Sequence, residues 1–84
     1  MTDEELLDRI VVNPRVMVGK PVIRGTRLTV ECILNALAHD MKFDEIMTEY
    51  PRATHEDILA CVLFAKTALS DISFMPLIAE AEVV

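Results

Sequence analysis

Four residues of this chain could ligate zinc or act as nucleophiles, namely Cys32, His39, His55 and Cys61. Zinc sites hold cysteine and histidine at short, regular spacings. Here the intervening segments are six, fifteen and five residues long, which matches no usual ligand pattern. Both cysteines stand among apolar residues, which favours buried, unreactive thiols. The sequence therefore predicts no metal or cofactor.

Motifs for catalysis are missing as well. The chain has no phosphate-binding glycine loop, no GxSxG sequence and no HExxH sequence. Its adjacent acid pairs, Asp44–Glu45 and Glu56–Asp57, stand where helices are predicted to begin, and the helix dipole favours acids there. We therefore expect a protein that is not an enzyme.

Half of the basic residues lie in one short segment. The formal net charge is −6, yet residues 13–28 contain four basic residues and no acid. Such a segment on an acidic body permits contacts with nucleic-acid phosphates or with an acidic partner, although solvated loop charges are the plainer interpretation. The candidate nucleic-acid or partner contacts are Lys20, Arg24, Gly25, Thr26 and Arg27.

Length and composition restrict the class of protein. The 84 residues allow one domain, and 52% of them are hydrophobic, a high fraction for so small a core. There is no apolar run of membrane-spanning length. The acidic start and the two cysteines favour a soluble, cytoplasmic protein with reduced thiols.

The elements that must position these residues are a β arm and three helices. Ile10–Val12 and Val22–Arg24 are β-rich and separated by turn residues, which predicts an arm over residues 10–28. Helical spacing of apolar residues predicts helices over about 29–40, 43–50 and 54–69. Thr29 caps the first helix, and Thr54 with Asp57 forms a variant capping box at the third.

The third predicted helix is apolar on every side over residues 58–65. A helix without a polar face is usually buried all round. One side can contact the other two helices, but the opposite side needs a further partner. A homodimer is the economical explanation. The candidate dimer contacts, on the arm and on this helix, are Val22, Ile23, Leu59, Leu63 and Phe64.

The two ends of the chain are predicted to lie outside the domain formed by residues 9–69. Residues 1–8 are an acidic lead, and residues 70–84 are an apolar and acidic tail interrupted by Pro76. The tail is either a mobile end or a segment that folds onto a partner. Its candidate partner contacts are Phe74, Met75, Leu77 and Ile78.

The second and third helices, joined by a short turn, also fit a helix-turn-helix loosely. The first turn of the third helix carries Glu56 and Asp57, which repel phosphates. That helix also offers no Arg, Asn or Gln for base edges. If DNA is bound, we expect the basic arm to contact it.

Three sequence blocks resemble the prokaryotic domain-of-unknown-function family 433. They are Gly19-Lys20-Pro21-Val22-Ile23-Arg24-Gly25-Thr26-Arg27, Asp44-Glu45-Ile46 with Tyr50-Pro51, and Thr54-His55-Glu56-Asp57-Ile58 with Phe64-Ala65. The resemblance covers residues 9–69. It implies a mainly α, three-helix, homeodomain-like helix-turn-helix bundle with a short N-terminal β arm. It also implies an antitoxin paired with a PIN-domain ribonuclease toxin.

The chain departs from the family pattern in three places. Lys42 replaces a capping serine, and Asp40 replaces a glycine at the end of the first helix. No basic residue follows Lys66, although such antitoxins often place one among the metal-binding acids of the nuclease.

The sequence thus predicts a non-enzymatic, antitoxin-like regulator that forms homodimers, binds a PIN-domain toxin or another partner protein, and contacts operator DNA. The alternative is a homodimeric protein-interaction or scaffold module that binds no nucleic acid.

Overall fold

A computed structural model describes residues 1–70 of the chain, and the remaining residues lie outside that part. The described residues form four helices and one two-stranded sheet. In chain order the elements are α1 (Asp3–Leu7), β1 (Ile10–Val12), a 3-10 turn (Met17–Gly19), β2 (Pro21–Ile23), α2 (Val30–Ala38), α3 (Phe43–Glu49) and α4 (His55–Ser70). The chain is mainly helical, with a small antiparallel sheet near the N-terminus, as predicted.

The three predicted helices are confirmed as α2, α3 and α4, with ends within about two residues of the expected positions. Thr29 caps α2, because its hydroxyl accepts a 3.0 Å hydrogen bond from the Cys32 backbone N–H. At α4 the predicted capping box is present. The Asp57 N–H donates to the Thr54 hydroxyl over 3.1 Å, and the Thr54 N–H donates to Oδ2 of Asp57 over 3.0 Å.

The end of α2 and the start of α3 carry the two departures from the family pattern. Asp40 adopts a left-handed conformation with φ of 68°, where a glycine is usual. Lys42 precedes α3 without a side-chain cap, and only the reciprocal bond forms, from its N–H to Oε1 of Glu45 over 2.8 Å.

Residues 1–8 were expected to lie outside the domain, but they contain a fourth helix, α1, that belongs to it. The Glu5 N–H donates to the Thr2 hydroxyl over 3.1 Å, and the Thr2 N–H donates to Oε1 of Glu5 over 2.8 Å. The bond from the Thr2 backbone also lowers the pKa of Glu5. This Thr-x-x-Glu box starts a short helix that packs against α4.

The sheet is part of the domain body and does not project as an arm. β1 pairs with β2 in antiparallel register, with Ile10 opposite Ile23 and Val12 opposite Pro21. Ile10 and Ile23 belong to the core shared with the helices. Val22 and Ile23 are only 1% and 2% exposed.

The core lies between α2, α3 and one side of α4, with the sheet across it. Ile58, Ala60 and Cys61 of α4 are fully buried, whereas Leu59, Val62 and Leu69 are 39%, 43% and 63% exposed. Within the single chain, therefore, only one side of α4 is covered, and the opposite side, for which the sequence predicts a further partner, is exposed. Within residues 1–70, no helix has the length and apolar character needed to cross a membrane.

Candidate functional site

Two turns distant in sequence meet on the surface and enclose a cleft of about 400 Å³. The first turn follows β2, and the second follows α3. Nη2 of Arg52 joins them by donating a 2.8 Å hydrogen bond to the Gly25 carbonyl oxygen. We call this cleft the basic cleft. It is lined by Thr26, Arg27, Leu28, Glu49, Tyr50, Pro51 and Arg52.

The first wall is a tight turn that depends on Gly25 and Thr26. Gly25 has φ of 78°, a left-handed conformation that side chains disfavour. The Thr26 hydroxyl donates to the Ile23 carbonyl over 2.8 Å and accepts from the Leu28 N–H over 3.0 Å. The turn is thereby fixed from both sides, and Arg27, which follows Thr26, is exposed to solvent.

The second wall begins where Pro51 ends α3. A residue before proline is forced out of helical geometry, and Tyr50 has φ of −123° and ψ of 80°. The Ala53 N–H then donates to the Tyr50 carbonyl over 2.9 Å, and Ala53 is only 3% exposed. This buried anchor fixes the position of Arg52 beside the cleft.

Tyr50 links the cleft to the helical core. Its ring is half-buried and packs against the core cluster. Hydrogen bonding with the Cys32 thiol on α2 raises the pKa of Tyr50, because it favours the protonated hydroxyl. At neutral pH the cleft therefore presents a neutral aromatic ring beside two guanidinium groups.

The charge of the basic cleft comes from Arg27 and Arg52, opposed only by Glu49. Among residues 1–70, the Arg27 side chain forms no hydrogen bond and no ion pair. Arg52 uses one nitrogen for Gly25 and has no ion pair with a described residue. An apolar surface flanked by two guanidinium groups suits a ligand that is partly apolar and carries acidic groups.

The predicted basic contacts do not all lie in this cleft. Lys20 pairs with Glu31 on α2 over 3.1 Å. Arg24 donates through Nη2 and Nε to the Asp8 carbonyl over 2.7 and 3.0 Å, and it lies 3.5 Å from the Asp8 carboxylate. Only Gly25, Thr26 and Arg27 of the predicted set belong to the cleft. Arg52, which sequence reasoning missed, joins them.

A signal for Arg52 did exist in the sequence. It directly follows the Tyr-Pro block, and that block carried part of the family resemblance together with Gly25-Thr26-Arg27. Arg52 lies 27 positions after Gly25 in the chain, so no local sequence pattern reveals their contact.

The predicted dimer contacts divide into two groups. Val22 and Ile23 are buried inside the chain's own core, so their side chains are withheld from any partner. Leu59 is exposed on the outer side of α4, and Leu63 and Phe64 are half-buried. The candidate tail contacts Phe74, Met75, Leu77 and Ile78 lie outside the described residues.

None of the cysteines and histidines lines the basic cleft. Burial raises the pKa of Cys61 to about 12. Nδ1 of His39 lies 2.7 Å from the Asn35 carbonyl, and the His55 ring stands 4.9 Å from that of Phe43. Within the described part of the chain, no three His, Cys, Asp or Glu side chains lie close enough to hold a metal ion.

A second hollow, of about 510 Å³, lies between α1 and the start of α4, and it is polar. Nη1 of Arg9 contacts Oδ1 of the buried Asp57 over 3.0 Å there. Arg24 contacts Asp8 on the same side. These opposite charges pair with one another. We therefore assign the ion pairs of this hollow to holding α1, β1 and α4 together, and not to binding a ligand.

Comparison with known sequences identifies the family. The family described as "Protein of unknown function (DUF433)" matches residues 10–65. The chain belongs to this family. Both walls of the basic cleft fall inside the DUF433 match. An uncharacterized protein of Archaeoglobus fulgidus is 60% identical over 25 residues, which cover 30% of this chain and 69% of that protein. No solved structure matches the chain significantly.

Proposed function

We propose that this DUF433 chain is a non-enzymatic, cytoplasmic, antitoxin-like regulator that forms a homodimer through α4 and binds a partner protein. The observation that carries the proposal is the outer side of α4. Leu59, Val62 and Leu69 are all exposed there, and Lys66 continues the row between the last two. This spacing of three, four and three residues is the one that pairs helices side by side.

A lysine inside such a row favours a defined partner over loose association. A single polar residue in a helix–helix seam lowers stability but fixes register and oligomeric state. The high apolar content of the chain has the same explanation, since burial of this row against a second α4 removes it from water.

The partner class comes from the family resemblance, which implies a PIN-domain ribonuclease. In this proposal α2, α3 and α4 form the homeodomain-like helix-turn-helix unit. The apolar residues Phe74, Met75, Leu77 and Ile78 supply the contact with the toxin. Residues 67–84 contain no basic residue, so a contact through this segment blocks the nuclease by apolar coverage and not by an inserted cation.

Operator DNA is contacted through the basic cleft in this proposal. Arg27 and Arg52 are exposed and have no ion pair among the described residues. The start of α4 is unsuited to the major groove, because Glu56 and Asp57 occupy its first turn. Phosphate contacts by the two arginines would bind DNA with little sequence preference.

The second candidate is a homodimeric scaffold that binds no nucleic acid. The pairing of Lys20 with Glu31 and of Arg24 with Asp8 favours it, because these pairs reduce the positive field of the predicted arm. The overall charge of −6 acts in the same direction.

A salt titration of duplex binding, followed by fluorescence anisotropy, separates the two candidates. The regulator binds at low salt with an affinity that falls steeply as salt rises. The chain with both Arg27→Ala and Arg52→Ala loses about two units of the logarithmic salt slope. Arg15→Ala is the control for loss of an exposed arginine outside the cleft, and it leaves the salt slope unchanged because it removes no phosphate contact.

Two results would contradict the regulator. Absence of binding at low salt removes the DNA contact and favours the scaffold. Absence of a neighbouring gene for a PIN-domain protein, or failure of the chain to co-purify with such a protein, removes the toxin partner.

A further inference from the structure

Residues 71–84 carry charges that would suit them as a ligand for the basic cleft of the same chain. This segment contains Asp71, Glu80 and Glu82 and no basic residue. It therefore holds half of the formal net charge of −6 in one-sixth of the length. Leu77 and Ile78 stand shortly before the two glutamates, so the segment combines apolar and acidic groups within six residues.

The basic cleft is complementary to this chemistry. Leu28, Tyr50 and Pro51 line it with apolar surface, and Arg27 and Arg52 flank that surface. Both arginines lack an ion pair among residues 1–70, whereas Arg9, Lys20 and Arg24 are already paired with acids. Guanidinium groups bind carboxylates through paired N–H donors.

The length of the segment also suffices. α4 has 16 residues, so Ser70 lies about 24 Å along the helix from its start beside the cleft. Residues 71–77 can span about 24 Å when extended, so Leu77 can just reach the start of α4, and residues 71–82 can span about 40 Å. Glu80 and Glu82 can therefore reach back along α4 to the two arginines of the same chain.

We propose that residues 77–82 dock into the basic cleft of their own chain, with Leu77 and Ile78 against its apolar lining and Glu80 and Glu82 on Arg27 and Arg52. Docking covers the two arginines and competes with any other acidic ligand. It also excludes Leu77 and Ile78 from the proposed toxin contact, so the docked and toxin-bound states are alternatives. The docking itself is independent of the proposed function. Its consequence, a segment that restrains DNA binding, rests on that function.

Tyr50 provides a native probe of the docked state. The chain contains one tyrosine and no tryptophan, so its intrinsic fluorescence comes from the cleft alone. Acrylamide is neutral and quenches this fluorescence in proportion to the access of solvent to the ring. A docked segment shields Tyr50, and an undocked segment leaves it accessible.

The test compares the quenching of the full chain with that of two variants, Glu80→Gln/Glu82→Gln and Leu77→Ser/Ile78→Ser. The first variant loses two exposed ion pairs, each of which shifts the docking equilibrium by about two- to fivefold. The second loses the burial of two apolar side chains. Both variants are therefore quenched more strongly than the wild type. The control Glu4→Gln/Asp44→Asn removes the same charge from two exposed side chains outside the cleft that form no side-chain hydrogen bond. It is quenched like the wild type.

A charge exchange makes the assignment specific. The chain with Arg27→Glu and Arg52→Glu loses the shielding of Tyr50. Addition of Glu80→Lys and Glu82→Lys restores it, which a mere loss of folding in the cleft would not allow. High salt weakens the shielding of the wild type, because exposed pairs are screened.

Two results would overturn the proposal. Equal quenching of all chains shows that the segment does not cover the cleft. Shielding that disappears on dilution shows that the occupant is another copy of the chain. The readout contains neither DNA nor a partner protein, so its failure leaves the proposed function standing, and a failure of DNA binding leaves the docking standing.

Discussion

Arg52 donates a 2.8 Å hydrogen bond from Nη2 to the carbonyl oxygen of Gly25. This bond joins the turn after β2 to the turn after α3, and the basic cleft lies between them. The candidate site therefore depends on a contact between two segments that are far apart in the chain.

Arg52→Ala removes this bond. A hydrogen bond from a charged donor in an exposed position is worth about 1 kcal/mol, so we expect the free energy of unfolding to fall by about that amount. Urea unfolding followed by circular dichroism measures it. Arg15→Ala is the control and leaves the stability unchanged, and an equal loss in both variants would contradict the role of the bond.

Asp57→Ala has a larger expected effect. Asp57 is 6% exposed, pairs with Arg9 over 3.0 Å and caps α4 through the Thr54 N–H. Removal of one partner from a nearly buried pair, together with a cap, costs about 3 kcal/mol. Glu56→Ala, next to it on α4, changes the free energy of unfolding by less than about 0.5 kcal/mol. Similar values for the two variants would show that the Arg9–Asp57 pair is dispensable.

The buried thiol of Cys61 makes the free energy of unfolding depend on pH in the alkaline range. Burial raises its folded-state pKa to about 12, whereas the thiol of an unfolded chain has a pKa of about 8.5. Above pH 8.5 the unfolded chain loses this proton while the folded chain keeps it, so stability falls as the pH rises toward 12. Tyr50, whose pKa is also raised, contributes in the same direction above its ordinary value.

Urea midpoints of the wild type and of Cys61→Ala at pH 8 and pH 10.5, values chosen below and well above a thiol pKa of about 8.5, measure this effect. The variant is less stable at pH 8, because a buried side chain is lost, but its midpoint falls less between the two pH values. Parallel falls in both chains would contradict a buried, protonated Cys61.

Val18 stores backbone strain in the turn between the strands. It has φ of 56° although it is β-branched, and its side chain is 94% exposed. Asparagine tolerates this conformation, so Val18→Asn stabilises the chain by about 1 kcal/mol. The control is Val12→Asn in β1, which lowers stability because asparagine disfavours strands. A loss of stability in Val18→Asn would show that the valine side chain is needed.

Local signals predicted much of this fold. Thr29, the Thr54–Asp57 box and Pro51 fixed the helix ends, because capping and proline geometry act within a few residues. The same kind of signal, Thr2 followed by Glu5, marks α1. It was missed because α1 is only five residues long and has no buried residue of its own.

The candidate site was predicted only in part, for a physical reason. The net charge of a segment does not show which of its basic residues form ion pairs with acids elsewhere in the chain. Lys20 pairs with Glu31, and Arg24 pairs with Asp8. Nor can the net charge show that Arg52 adds to Arg27, since the chain folds back between them. Burial behaves similarly. Val22 and Ile23 were expected at a dimer contact, yet the chain's own helices cover them.

The exposed row on α4, formed by Leu59, Val62, Lys66 and Leu69, is the surface through which we propose that two copies of the chain pair. The most direct test is sedimentation equilibrium at micromolar concentration on the wild type and on Val62→Glu. Val18→Glu is the control, because it makes the same change at an exposed valine away from α4. We predict twice the mass of the chain for the wild type and for Val18→Glu, and a monomer for Val62→Glu. A wild type that sediments as a monomer, or a Val62→Glu chain that remains a dimer, would contradict pairing through α4.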